Sequence, residues 1–280
     1  MSEFPLHEFG GDGPAIHLAP ANGFPPGSYR AFAGMLTGRY RIVSLVPRSL
    51  WPGSRPESVP TWRPLAGDLV AGLDALGVGG VVGVGHSLGG VLTLWAAIDR
   101  SDLFRAVVLI DPVILPPGWL RWLRLLRLLG LRQRQPLVQG ALHRRCTWPD
   151  RQACFAHFRL KSFFAPWSDE ALWDHVEAST RPLPGGDVEL VWPREWEAHV
   201  FATTPLRIWR DVPRLRVPAL IVRGEHSATF VPEAQARLAR LLPQAQFVTV
   251  AGAGHLAPLE RPAETAEALR PFLDDIRDLV

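Results

Sequence analysis

The chain has 280 residues, 47% hydrophobic and 20% charged, which suits one large α/β domain or two small ones and excludes a disordered tail, a collagen or a coiled coil. A formal net charge of +3 does not suggest a nucleic-acid binder, and two cysteines, Cys146 and Cys154, are too few for a disulfide scaffold or a zinc site. The first ten residues carry neither a basic nor an apolar signal region, and no apolar run reaches the roughly 18 residues of a membrane span, so a cytoplasmic location with reduced thiols is expected.

In chain order, residues 4–9 and 15–19 read as short strands flanking Gly10-Gly11-Asp12-Gly13, the composition of a hairpin turn. Residues 28–37 carry apolar side chains at three- and four-residue spacing and predict a helix; 41–46 predicts a strand and 62–76 a second helix. Residues 81–85 predict a strand that runs into a helix over 88–99, and 106–111 another strand. These runs are continuously apolar rather than alternating, as strands buried on both faces are. The pattern resumes with strands at 219–223 and 246–250 and helices at 232–242 and 262–279, where Pro232 and Pro262 occupy first-turn positions that tolerate proline. Alternation of this kind predicts an α/β fold with a mostly parallel sheet flanked by helices, built from residues 1–115 and 212–280.

Residues 116–211 differ. They hold eight of the eleven tryptophans, read as helical throughout, and predict an inserted helical cap. Within it, residues 119–131 place Arg121, Arg124 and Arg127 three apart on one arc of a helix, with leucines and tryptophans over the rest. An apolar face that wide needs a partner, either the remainder of the cap or a lipid or substrate molecule. Between 112 and 168 nine arginines and Lys161 face one acid, Asp150, whereas 169–210 hold eight acids against four arginines. The two blocks either pair or face solvent, or the basic one steers anionic substrates or lipid head groups.

The strongest local signal is Gly85-His86-Ser87-Leu88-Gly89, between the predicted strand 81–85 and the helix from 88. A serine on a tight strand-to-helix turn projects its hydroxyl from the sheet edge, and the amide that follows it, at the helix N-terminus, can stabilise an oxyanion. A hydroxyl is a weak nucleophile and needs a base. His255, on the glycine-rich stretch Gly252-Ala253-Gly254 just after the strand 246–250, is the histidine placed to reach it. Residues 77–90 are glycine-rich, but no Gly-Lys-Ser/Thr follows, so no phosphate-binding loop is expected.

These motifs and the strand–helix order around an inserted segment resemble the α/β-hydrolase family over nearly the whole chain, in particular its lid-bearing, lipase- and esterase-like members. Asn22-Gly23-Phe24-Pro25 resembles the family's His-Gly oxyanion loop, with Asn22 where histidine is usual. The resemblance implies an oxyanion hole from the amides of Phe24 and Leu88, and no cofactor or metal. The family usually carries its third catalytic residue in a Gly-x-x-Asp setting; here that stretch is Gly224-Glu225-His226-Ser227, with serine at the acid's position. Asp111, at the end of the strand 106–111, is the favoured replacement, Glu225 the second candidate, and neither the third alternative. Asn22, His86 and Trp119 are candidate substrate contacts. The implied activity is hydrolysis of apolar acyl or aryl esters through an acyl-enzyme by Ser87, His255 and Asp111. Carbon–carbon bond hydrolysis or lactone opening on the same residues, and a non-catalytic ligand-binding homologue, are the alternatives. The expected partner is a small-molecule ester, with no nucleic acid and no stable membrane insertion, and the expected state a monomer or homodimer.

Overall fold

The structure, a computed structural model, describes residues 4–277. The chain begins with β1 (Leu6–Gly10) and β2 (Ala15–Ala19), then α1 (Arg30–Gly34), β3 (Arg41–Leu45), α2 (Arg63–Ala75), β4 (Val81–His86), α3 (Leu88–Asp99) and β5 (Phe104–Ile110). It leaves the sheet for α4 (Pro117–Leu128), α5 (Pro136–His143), β6 (Thr147–Trp148), α6 (Arg151–Arg159), α7 (Asp169–Ser179), β7 (Thr180–Pro182), β8 (Val188–Leu190), α8 (Arg194–Ala202) and α9 (Ile208–Asp211). It returns with β9 (Ala219–Gly224), α10 (Pro232–Leu241), β10 (Gln246–Val250), α11 (Ala257–Glu260) and α12 (Pro262–Arg277). Residues 278 and 279, the end of the last predicted helix, lie outside the described residues.

The seven-stranded sheet runs β1-β3-β2-β4-β5-β9-β10 and is parallel except for β1, as the apolar runs predict. Alternate residues of a strand face opposite sides, so β5 divides itself between two cores. Val107 and Leu109 pack with Leu94 of α3 and Leu73 of α2 on one face, and Ala106, Val108 and Ile110 with Leu269 and Phe272 of α12 on the other.

Three expectations are corrected. Gly10–Gly13 does not close a hairpin: β1 pairs antiparallel with β3, which lies between β1 and β2. Gly10, Gly11 and Gly13, with φ of 100°, 85° and 109°, instead carry the chain past β3 into a buried strand that has parallel partners on both sides. The helix expected over 28–37 is a 3-10 turn, Pro26–Tyr29, followed by the short α1, because Gly34 and Gly38 weaken its second half. The segment between β5 and β9 is not helical throughout, since β6, β8 and β7 form a small antiparallel sheet at Trp148 and Val188. Its two charge blocks meet in part, through Arg144–Glu197 at 2.5 Å and Arg159–Asp169 at 2.6 Å.

Candidate active site

Ser87 follows β4 directly and opens α3. Its φ of 56° and ψ of −112° turn the backbone sharply, and the only other non-glycine with positive φ among the described residues is Asp111, at 44°, ending the neighbouring β5. Such conformations cost about 1–3 kcal/mol each and persist where the surroundings impose them. The surroundings of Ser87 are glycine: a Cβ on Gly89 would overlap the carbonyl oxygen of Ala19, and one on Gly85 the backbone of Gly89.

At this turn Ser87 Oγ lies 2.9 Å from His255 Nε2, and His255 Nδ1 lies 2.6 Å from Asp111 Oδ1. With Nδ1–H donated to the carboxylate, Nε2 is left as the acceptor for the serine hydroxyl. Asp111 is fully buried, and its desolvation is offset by three donors: His255, the Ser227 hydroxyl at 2.6 Å and the Gly224 amide at 2.9 Å. Ser227 accepts from the amides of Thr229 and Phe230 at 3.2 and 3.1 Å, so its own proton is free for Asp111. The residue standing at the family's usual acid position thus donates to the carboxylate supplied by β5. Glu225 is exposed and accepts from the Gly252 amide at 2.7 Å, away from the imidazole.

The other expected site residues are distributed unevenly. The Leu88 amide is the first of α3 and has no intrahelical acceptor. The Phe24 amide closes a turn on Ala21 O at a long 3.2 Å, so an oxyanion would have to draw it from that carbonyl or share it. Asn22 is buried, and its side-chain amide donates to Glu197 O at 3.0 Å, tying this loop to α8. Trp119 is 55% exposed on the first turn of α4, where its neighbours Leu120 and Leu123 turn inward.

His86, expected to meet substrate, is buried with both ring nitrogens engaged. Nε2–H donates to His255 O at 2.9 Å, and Nδ1 accepts from Tyr29 Oη at 2.7 Å, which in turn accepts from the Ala21 amide at 2.9 Å. Burial, reinforced by the neighbouring His255, holds the His86 pKa down to about 3, and burial pushes the Tyr29 phenol well above its ordinary value. One buried chain of hydrogen bonds thereby registers the Asn22–Phe24 loop, the serine turn and the His255 loop against each other. Tyr29→Phe orphans the Ala21 amide and His86 Nδ1, about 1–3 kcal/mol each in stability. It is expected to lower kcat by about tenfold to a hundredfold at unchanged KM, as measured by urea unfolding and steady-state kinetics. An equal loss in KM would count against a positioning role.

Glu260 is the second residue that sequence reasoning missed. Its carboxylate accepts from the amides of Gly254 at 2.5 Å and Leu256 at 3.0 Å, bracketing His255. A glutamate five residues past the histidine carries no local signal; α11 brings it back beneath the loop.

Beside the site an apolar cleft is lined by Leu45, Leu65, Leu88, Leu92, Trp192 and Trp196, between the sheet edge and α8. The one arginine in its wall, Arg48, is bonded to Asp68, with Nε at 2.7 Å from the carboxylate.

A mostly parallel sheet whose strand turns at a serine into a helix, with an aspartate from the end of the adjacent strand and a histidine from the loop after the last strand, defines the α/β-hydrolase class of fold. The chain belongs to the alpha/beta hydrolase family, whose profile matches residues 18–268. It is 27% identical over 241 residues to the 2-(acetamidomethylene)succinate hydrolase of Mesorhizobium japonicum, covering 85% of this chain and 80% of that protein. A crystal structure of E-2-(acetamidomethylene)succinate hydrolase superposes with a TM-score of 0.79 at 24% identity over 97% of this chain and 95% of that one. A thermophilic esterase from Thermogutta terrifontis, solved with malate bound, gives 0.70 at 23% identity over 98% and 93%.

Proposed function

We propose that the protein is a serine carboxylic-ester hydrolase for apolar acyl or aryl esters. The observation that carries this reading is the unbroken chain from Ser87 Oγ through His255 to the buried Asp111, at 2.9 and 2.6 Å. Ser87 Oγ attacks the ester carbonyl as its proton passes to His255 Nε2, and Asp111 stabilises the imidazolium that forms. The carbonyl oxygen, now negative, lies at the Leu88 amide and the Phe24 loop. The tetrahedral intermediate collapses, the alcohol leaves with the proton from His255, and the acyl-enzyme remains. Water, deprotonated by the same imidazole, then attacks the acyl carbon and releases the acid and the serine.

The cleft beside Leu88 supports an apolar acyl group. Its walls are leucine and tryptophan, and Arg48 is already engaged by Asp68, so among the lining residues no unpaired cation awaits a carboxylate. Similarity to a hydrolase named for a substituted succinate favours a second reading, hydrolysis of an acidic substrate. A panel of 4-nitrophenyl esters of increasing chain length and of dicarboxylic half-esters, with Ser87→Ala as control, separates the two. Longer apolar acyl groups are expected to give the higher kcat/KM, and a fluorophosphonate is expected to label Ser87. Preference for half-esters or short polar esters, or failure of Ser87 to label, would overturn the reading.

A further inference from the structure

Helix α4 and its C-cap carry two stripes of identical spacing on opposite sides. Leu120, Leu123 and the half-buried Arg127 face inward, the leucines in the core beside Leu88 and Leu115. Trp122, Leu125 and Leu129, displaced by two residues and so by about 200° around the axis, face outward at 48%, 52% and 60% exposure. Leu128 at the helix end is 77% exposed. Single exposed hydrophobics are ordinary, but six of the nine large ones exposed among the described residues fall within residues 119–137.

Charge accompanies this ridge. Arg121, Arg124, Arg132 and Arg134 are exposed and take part in none of the ion pairs found among the described residues. The one acid between 112 and 168, Asp150, is occupied in capping α6, accepting from the Ala153 amide at 2.7 Å. Burial, and to a smaller extent the charge of Arg132, lower the Arg127 pKa. An exposed apolar ridge bordered by arginines outside the ion pairs of the described residues, with tryptophan in its first turns, is the pattern of a helix lying in a membrane interface. A second copy offering the same face would bring arginine against arginine.

We propose that α4 and the turn that follows dock on an anionic lipid surface. Trp122, Leu125 and Leu129 enter the boundary between head groups and acyl chains, and Arg121, Arg124, Arg132 and Arg134 meet lipid phosphates. The inference is independent of which bond the enzyme hydrolyses.

The test is co-sedimentation of the full chain with vesicles of phosphatidylcholine alone or mixed with phosphatidylglycerol, at low and high salt. Binding to the mixed vesicles, weak binding to phosphatidylcholine and loss of binding at high salt are expected. Arg121→Gln and Arg124→Gln should each weaken partitioning about fivefold, and the double variant Trp122→Glu, Leu125→Glu should abolish it. The variants alter exposed positions only, so hydrolysis of a short water-soluble ester should persist and report the folded state. Absence of binding to the mixed vesicles at low salt overturns the proposal, as does binding indifferent to lipid charge or to the glutamate pair. A dimer that forms in place of vesicle binding, and that the glutamate pair dissociates, overturns it in favour of a second copy.

Discussion

Asp111→Asn is expected to lower kcat by about 10⁴-fold with the fold intact. The buried carboxylate serves His255 and Ser227 through Oδ1 and the Gly224 amide through Oδ2, all three as donors. Asparagine has one acceptor oxygen. Placed at the Oδ1 position, that oxygen leaves the side-chain NH2 against the Gly224 N–H. Reversed, the NH2 meets His255 Nδ1 and forces the proton to Nε2, where the imidazole can no longer accept from Ser87. Both arrangements leave a donor facing a donor in a buried place. Glu225→Gln, which loosens only the Gly252 turn, should change kcat little. Steady-state kinetics with circular dichroism checks this, and the reverse ranking of the two variants would remove Asp111 from the mechanism.

A steep loss of stability below neutral pH is expected from three histidines. His17, His86 and His175 are buried, and in each case burial, the first cause, lowers the pKa to about 3. They are neutral in the folded chain and titrate near 6.5 once unfolded, so below that pH the unfolded chain binds more protons and is favoured. The loss grows as pH falls from 6.5 and levels off near the folded value of about 3. At about pH 5 each contributes roughly 2 kcal/mol and the three together roughly 6, comparable with the whole stability of an ordinary domain. Burial raises the pKa values of Asp68, Asp174 and Glu197, and these groups act in the opposite sense as they protonate. Denaturant unfolding at about pH 7 and pH 5 checks the net result. A midpoint that does not move would overturn the expected loss, and repeating the measurement with His17→Gln would separate a histidine that is charged or hydrated in the fold from one offset by these carboxylates.

The site was partly legible before any geometry. Ser87 announces itself because a strand-to-helix turn of this kind is made by contiguous residues, Gly85 to Gly89; the steric demand on Gly85 comes from Gly89 itself, whereas that on Gly89 comes from Ala19 of β2. His255 is legible from glycines beside a strand end. Between Asp111 and Glu225 the sequence favours Asp111 but leaves both open, because the choice depends on β5 lying between β4 and β9, so that Asp111 ends beside both Ser87 and Gly224. Tyr29, Glu260 and the inward turn of His86 left no mark in the sequence, since each depends on a partner placed by a different element.

Residue order alone determined where the strands of the seven-stranded sheet run, where the serine turn sits and that a tryptophan-rich segment interrupts the sheet. Those features follow from hydrophobic period and backbone freedom over a few neighbouring residues. Tertiary structure decided that β1 pairs with β3, that β6, β7 and β8 join, and which carboxylate meets an imidazole 144 positions away. Strand order is set by packing both faces of the sheet at once, a condition imposed by the whole chain and written in no single stretch of it.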